Sequence, residues 1–275
     1  MNLDALFQQQ NALPTVPKVV QEVIESFNND RVSIDEIVKK LAADQVLSAK
    51  LLRLANSSYY HASRSVGTVE DAVLMLGFMT VRTLVVSSGL TGGFKSMPGV
   101  DLKQFWRYSM HTAVIAKWLA KQVKGNSDFA FTVGLMHAIG QLVMHAGMPE
   151  KTLEIDKIAG PLDSRRLDVE RASFAYDYAN VGAELARRWR FPDNFATVLD
   201  AFPEPLKTNE FEPMAAVIHL AAWRSRGEEN KYSTEELIAT FPISVATKLG
   251  VTPDLFLKEM PPIAELAEGL EELIK

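Results

Sequence analysis

The sequence predicts an all-α fold of about a dozen or more helices. Three observations carry that prediction. Apolar residues recur at three- and four-residue intervals in nearly every periodic stretch. Residues that start helices stand just before most of these stretches. No stretch alternates apolar and polar residues over strand length, and there is no fixed-period repeat or low-complexity linker.

Val19, Val20, Val23, Ile24 and Phe27 share one helix face, with Pro14 and Pro17 just upstream, where proline starts a helix without breaking one. Ser33 is the next N-cap, with Glu36 as its capping-box partner and Ile34, Ile37, Val38 and Leu41 inward. Leu47, Leu51, Leu52 and Leu54 belong to a helix ending at Asn56-Ser57-Ser58, whose short polar side chains compete for backbone hydrogen bonds. Thr68 caps another helix, with Asp71 at its third position and Val69, Ala72, Val73 and Leu76 buried. From Gly89 to Gly99 the pattern stops, and Gly92-Gly93 with Pro98-Gly99 predict a loop.

Asp101 caps a long helix carrying Leu102, Phe105, Trp106, Ser109, Met110, Ala113, Val114 and Trp118. A shorter helix over Asp128 to Ala138 carries Phe129, Val133 and Met136. Val181, Leu185 and Trp189 form a stripe that stops at Phe191-Pro192. Residues 213–225 form a helix with Met214, Val217, Ile218 and Ala221 inward, and the tail from Ile263 to Ile274 is helical and acidic. The expected units are residues 1–99, an N-terminal helical subdomain; 100–225, the main helical core; and 226–275, a helical tail.

Composition narrows the function. The 275 residues are 47% hydrophobic and 23% charged, an ordinary globular balance. A net charge of −5 gives no basic excess for phosphate backbones, so no nucleic-acid partner is expected. No cysteine is present, which excludes disulfides, thiolate metal sites and a thiol nucleophile. No apolar run reaches roughly 18 residues and Met1 to Gln10 is not a secretion signal, so no membrane contact is expected and the cytoplasm is the default location.

Several patches together resemble the HDOD family, the HD-related output domains of bacterial signalling proteins, over about residues 10 to 225. Leu13-Pro14-Thr15-Val16-Pro17 is similar to the family's opening. Lys50 to Tyr60 resembles its leucine-rich helix ending in Asn-Ser, and Thr68 to Gly77 the next helix, closing on Leu-Gly. Phe105-Trp106-Arg107-Tyr108-Ser109 and Gly134-Leu135-Met136-His137-Ala138-Ile139-Gly140 resemble two helices of HD type, and Val181 to Trp189 with Phe191-Pro192 a further block. Asp44-Gln45 departs from the family's usual Asp-Pro. The resemblance implies an HD-domain-like multi-helix bundle, a degenerate relative of the metal-dependent HD phosphohydrolases.

Hydrolytic HD sites hold a divalent cation with a His, an adjacent His-Asp pair and a distant Asp, because imidazole and carboxylate ligands let the cation lower the pKa of bound water. By the same resemblance those positions fall here on Tyr108, His137-Ala138 and Ala222, and the extra histidines of two-metal relatives on Tyr178 and Phe202. His137 alone survives, and His111, three residues after Tyr108, is the nearest substitute.

Other chemistry is sparse. His145, His61 and His219 lack partner spacing and read as structural or exposed. Gly89-Leu90-Thr91-Gly92-Gly93 is not a phosphate loop, and no Gly-x-Ser-x-Gly elbow is present. Arg187-Arg188-Trp189-Arg190 reads as the solvated face of a helix. Lys103, Arg107, Lys117, Lys121 and Lys124 could form one cationic stripe along the long helix. Glu228-Glu229 and Glu271-Glu272 read as exposed charge.

The expectation is a non-enzyme: a signalling or scaffolding module binding a signalling protein, without metal or cofactor, His137 being vestigial. No receiver or cyclic-dinucleotide domain is legible, so it would act alone or in trans. The alternatives are a phosphohydrolase or phosphodiesterase displaced onto His111 and His137, or a small-molecule sensor with a pocket of Tyr108, His111, His137 and Gln141.

Overall fold

The computed structural model describes residues 2–9, 12, 17–26, 33–57, 65–94, 97, 99–208 and 210–270. Among the described residues all regular structure is helical. The expectations resting on residues 13–16, Phe27, residues 58–61, Pro98 and residues 271–274 lie outside them.

The N-terminal part comprises α1 (Leu3–Phe7), α2 (Lys18–Glu25), α3 (Ile34–Ala43), α4 (Gln45–Ala55), α5 (Val69–Leu76) and α6 (Phe78–Gly93). Asp44 caps α4 through Val46 N and Leu47 N, and Thr68 caps α5 through Asp71 N. Ser33 precedes α3 without a side-chain capping bond: it is exposed, and Asp35 and Glu36 in the first turn complement the helix N-terminus instead. The Asn56 side chain closes α4 as expected and clasps Val66 through both its backbone groups.

The helix α6 corrects the expected loop, because it continues through Gly89 and stops only at Gly93. Gly89 is there for packing. A Cβ at that position would lie 2.7 Å from Val20 Cγ1, so the missing side chain lets α2 approach α6.

The core contains α7 (Leu102–Gln122), α8 (Ser127–Met136), α9 (Ile139–Gly147), α10 (Pro149–Ile158), α11 (Arg166–Phe174), α12 (Tyr178–Arg188), α13 (Asp193–Ala201) and α14 (Pro213–Glu229). Asp101 caps α7 and Asn126 caps α8. The helices α7 and α8 form an antiparallel hairpin, α14 packs along α7, and α9 crosses α12. Glycine permits two of these approaches. A Cβ at Gly134 would lie 2.8 Å from Ala113 Cα, and one at Gly140 would lie 1.9 Å from the Tyr178 carbonyl oxygen.

The remainder comprises α15 (Thr234–Ala239), α16 (Ile243–Leu249), a π-helical turn at Leu255–Glu259 and α17 (Ile263–Leu266). Trp118 and Trp223 both meet Phe256 edge-on, which seats this region on α7 and α14. One apolar cluster runs from Leu6 to Leu270, and α14 passes through residue 225 without a break.

The stretch Ser127–Gly147 is the most apolar long segment among the described residues. It is long and apolar enough by length and composition to cross a membrane, although 89% of its apolar window is buried inside the protein. It is also interrupted: α8 ends at Met136 and α9 begins at Ile139.

The charged side chains of α7 do not form the cationic stripe. Arg107 forks onto Glu229, Lys117 pairs with Asp128, and Lys124 lies beyond the helix with φ 57°. Glu229 is likewise not exposed charge, its side chain being only 2% accessible.

Candidate functional site

Five segments meet around His137. Tyr108 comes from the inner face of α7, His137 and Ala138 from the α8–α9 junction, Tyr178 from the first turn of α12, Phe202 from the end of α13, and Ala222 from α14. All six are buried. The His137 ring meets Tyr108 edge-on at 4.9 Å and Phe202 edge-on at 5.6 Å, with Tyr178 6.3 Å from Phe202. Two of the positions that the resemblance assigns to metal ligands, Tyr108 and Phe202, thus set aromatic rings against one imidazole.

Nδ1 of His137 lies 2.6 Å from the Gly134 carbonyl oxygen, which can only accept, so Nδ1 carries the hydrogen. Nε2 is left with a lone pair, buried and without a protein partner. Burial drives the His137 pKa down to about 3, the Gly134 carbonyl opposing and the charge of Arg226 assisting. The imidazole is thus neutral in the folded protein.

That has a measurable consequence. Unfolded His137 takes a proton below its ordinary 6.5, whereas folded His137 does not until about 3. Its contribution to stability is complete above pH 6.5 and is lost as pH falls toward 3, costing about 2 kcal/mol by pH 5. His137→Phe should flatten this part of the acid limb, as read by urea unfolding at pH 7 and pH 5.

Tyr178 is positioned from behind by a buried polar chain. Glu170 of α11 accepts from Tyr178 N at 2.8 Å and from Arg166 Nε at 2.7 Å. Arg166 Nη1 donates to Asp156 of α10, which also accepts from His145 Nε2 at 2.8 Å. His145 Nδ1 donates to the Gln141 carbonyl at 2.7 Å. Burial pushes Glu170 up to about 7, with Arg166 and the Tyr178 amide pulling it back. Burial also works against the charge of Asp156, but His145 and Arg166 outweigh it and hold its carboxyl below the ordinary value. Asp177 adds a capping box at the start of α12, accepting from Ala179 N and Asn180 N.

The four residues of the expected pocket do not all converge. Tyr108 and His137 come together. His111 instead faces Glu229, with Nδ1 3.6 Å from Oε1, and the Gln141 side chain donates to the Pro161 carbonyl. His145 and His219 are structural rather than exposed: His145 is buried in the polar chain and His219 Nδ1 donates to the Phe202 carbonyl at 3.0 Å. His61 lies outside the described residues.

Arg226 is the residue that sequence reasoning missed. It stands one turn beyond Ala222 on α14, and a stripe of His219, Ala222 and Arg226 at helical spacing was the available signal. The charge of Arg226 works against the upward push of burial on the Tyr108 phenol. Burial works against its charge, but Tyr108 and Tyr178 outweigh that and Arg226 stays cationic. Burial also raises both phenols above their ordinary value, so they remain protonated.

This donor set does not fit a divalent metal. Such a site needs about three or four imidazole or carboxylate ligands. Among the described residues no three His, Asp or Glu side chains cluster to hold an ion. At the ligand positions only His137 Nε2 has the right chemistry, and it shares its surroundings with a fixed cation.

Comparison with known proteins places this arrangement. The chain is 24% identical over 212 residues to an uncharacterized protein of Treponema pallidum (strain Nichols), 76% of this chain but 41% of that protein's length. It is thus well short of the full length of the curated relative it matches. Among solved structures it is similar to one from Shewanella amazonensis SB2B named "Putative phosphohydrolase", with TM-score 0.80, 28% identity and 98% of each chain covered. It is also similar in fold to a "Putative signal transduction protein" from Marinobacter aquaeolei VT8, with TM-score 0.66, 21% identity, and coverage of 98% of this chain and 62% of that one. Residues 13–204 match the family described as the HDOD domain, and with that match spanning most of the chain, this protein belongs to the HDOD domain family.

Proposed function

We propose that this protein is a non-catalytic module of bacterial signal transduction that works by binding a signalling protein through its HD-like helical core. The observation that carries the reading is the filled site. The positions that would hold a metal are occupied by the rings of Tyr108, Tyr178 and Phe202 and the methyl groups of Ala138 and Ala222, leaving one neutral imidazole. Water activation by a Lewis acid needs a held cation, and this donor set offers none a seat. Exchange of buried ionic groups for apolar ones is compatible with an intact fold. Membership of the HDOD family and the fold shared with a protein named for signal transduction support the signalling part.

The test has two arms. Metal analysis of the purified protein should find no stoichiometric metal, and nucleotides and cyclic dinucleotides should survive incubation with it in added manganese. Affinity capture from the native cell should return a signalling protein. Bound stoichiometric metal, or hydrolysis abolished by His137→Ala, would overturn the proposal.

A further inference from the structure

Two buried histidines of the core, His137 and His145, are bonded in opposite ways. His137 meets one acceptor, the Gly134 carbonyl, and its other nitrogen has no protein partner. His145 meets acceptors at both nitrogens. Nδ1 lies 2.7 Å from the Gln141 carbonyl oxygen, and Nε2 lies 2.8 Å from Asp156 Oδ2. A carbonyl oxygen can only accept, so Nδ1 carries a hydrogen. A neutral imidazole has no second hydrogen to give, and its bare Nε2 would face a carboxylate oxygen lone pair to lone pair. The 2.8 Å contact therefore contains one further proton, held between His145 and Asp156.

The surroundings place that proton on the histidine. The other Asp156 oxygen accepts from Arg166 Nη1, which favours the ionised carboxylate. The helix α9 is packed by α1, α10 and α12. Asp4 of α1 and Glu184 of α12 pair with Arg188, and Asp177 at the head of α12 takes Arg171. Besides Asp156, the charged residues of α10 are Glu150, Lys151, Glu154 and Lys157, all exposed. Asp156 is thus the charged partner that His145 meets, with Arg166 and Glu170 next in the chain. The Asp156 side chain is 16% exposed and that of His145 1%, so the proton's way to water passes Asp156. The same chain seats the connection between α10 and α11. Arg166 Nη1 also donates to the Ala159 carbonyl at 3.1 Å, and the Gln141 amide donates to the Pro161 carbonyl at 3.1 Å.

We infer that the His145–Asp156 contact is a proton latch: doubly protonated His145 holds α10 against α9 and, through Asp156 and Arg166, seats the turn from Ala159 to Asp163. Loss of the proton to water sets two acceptors against each other at Nε2 and loosens that hold. Histidine is the side chain suited to such a change near neutral pH. The inference does not depend on whether the former metal site is catalytic. It adds a regulatory input to the fold, because the turn follows Ile158, an apolar side chain 60% exposed at the end of α10. The presentation of that surface then follows protonation.

The test uses the full chain, NMR of the imidazole nitrogens and amide hydrogen exchange. At pH 5 both ring nitrogens of His145 should carry protons, whereas His137 should keep one bare nitrogen. On titration toward pH 9 His145 should lose the imidazolium signature. In step with that loss, the amides of α10 and Ala159 should exchange about tenfold faster relative to those of α7, the worth of one hydrogen bond to a charged group. Asp156→Asn, whose amide can donate to Nε2, should leave His145 neutral and abolish the step. A bare nitrogen on wild-type His145 at pH 5 would overturn the inference. So would an imidazolium that persists to pH 9, or one lost without a change in exchange. A folded Asp156→Asn protein that keeps the step would overturn it as well, and if that variant does not fold, the wild-type titration decides.

Discussion

Gly140→Ala should abolish the folded protein or cost it roughly 4 kcal/mol or more, a loss reserved for a short list of mechanisms. The added Cβ would stand 1.9 Å from the Tyr178 carbonyl oxygen, 2.8 Å from Gly182 N and 2.9 Å from the Tyr178 carbonyl carbon. All three are backbone atoms, so no rotamer change relieves the clash, and α9 would have to lift off α12. Tyr178 N is itself fixed to Glu170, so the α12 side of the crossing cannot retreat without breaking a buried hydrogen bond. Soluble yield and thermal melting check the prediction. Gly160→Ala is the control, since a Cβ there meets nothing within 4 Å, and it should be neutral or slightly stabilising.

Arg166→Met should cost about 3–5 kcal/mol at neutral pH, because removal of one partner strands the buried charges it was matching. Arg166 is 1% exposed and bridges Asp156 to Glu170, whose side chain is fully buried. The loss should depend on pH with a definite sign. Folded Glu170 titrates near 7, above its ordinary 4.5, even with Arg166 present, and removing that cation raises it further. A carboxyl with a raised folded pKa favours the folded state at low pH and loses that advantage as pH rises through the folded value. The penalty of Arg166→Met should therefore be smaller at pH 5 than at pH 8. Urea unfolding at both values tests this, and Arg166→Met with Glu170→Gln, which removes both charges, should recover part of the loss.

The helices legible in the sequence were those with an apolar face and a capping residue at its head. Asp101 and Thr68 form the caps expected of them, and the stripes they open are buried. Helices lacking such contrast were missed. The helix α9 is buried on nearly every side and opens at Ala138 without a side-chain cap. The helix α11 inverts the rule, because its buried residues are Arg166 and Glu170, a charged pair that reads as a solvent face until Asp156 and Tyr178 N are seen to meet it.

The site divides in the same way. The residues expected at the ligand positions, Tyr108, Ala138, Tyr178, Phe202 and Ala222, could be read one position at a time from the resemblance, and all five are buried. Arg226 could not, because the helix was expected to stop at residue 225 and charge near a helix end ordinarily meets water. Glu229 was hidden for the same reason. Its burial depends on Arg107, far away in sequence, and one helix's pattern does not report the face that another helix covers.

The glycine crossing of α9 and α12 also bears on how the chain reaches its fold. The α7–α8 hairpin is local, closed by one short turn, and such contacts form early because little chain entropy opposes them. The α9–α12 crossing must wait until α10 and α11 have been laid down between its two halves. Until then α9 lacks the cover that α12 gives it. A side chain at Gly140 would leave the hairpin able to form and the crossing unable to close. Such a variant would emerge as aggregated polypeptide from the ribosome rather than as a native protein of reduced melting temperature.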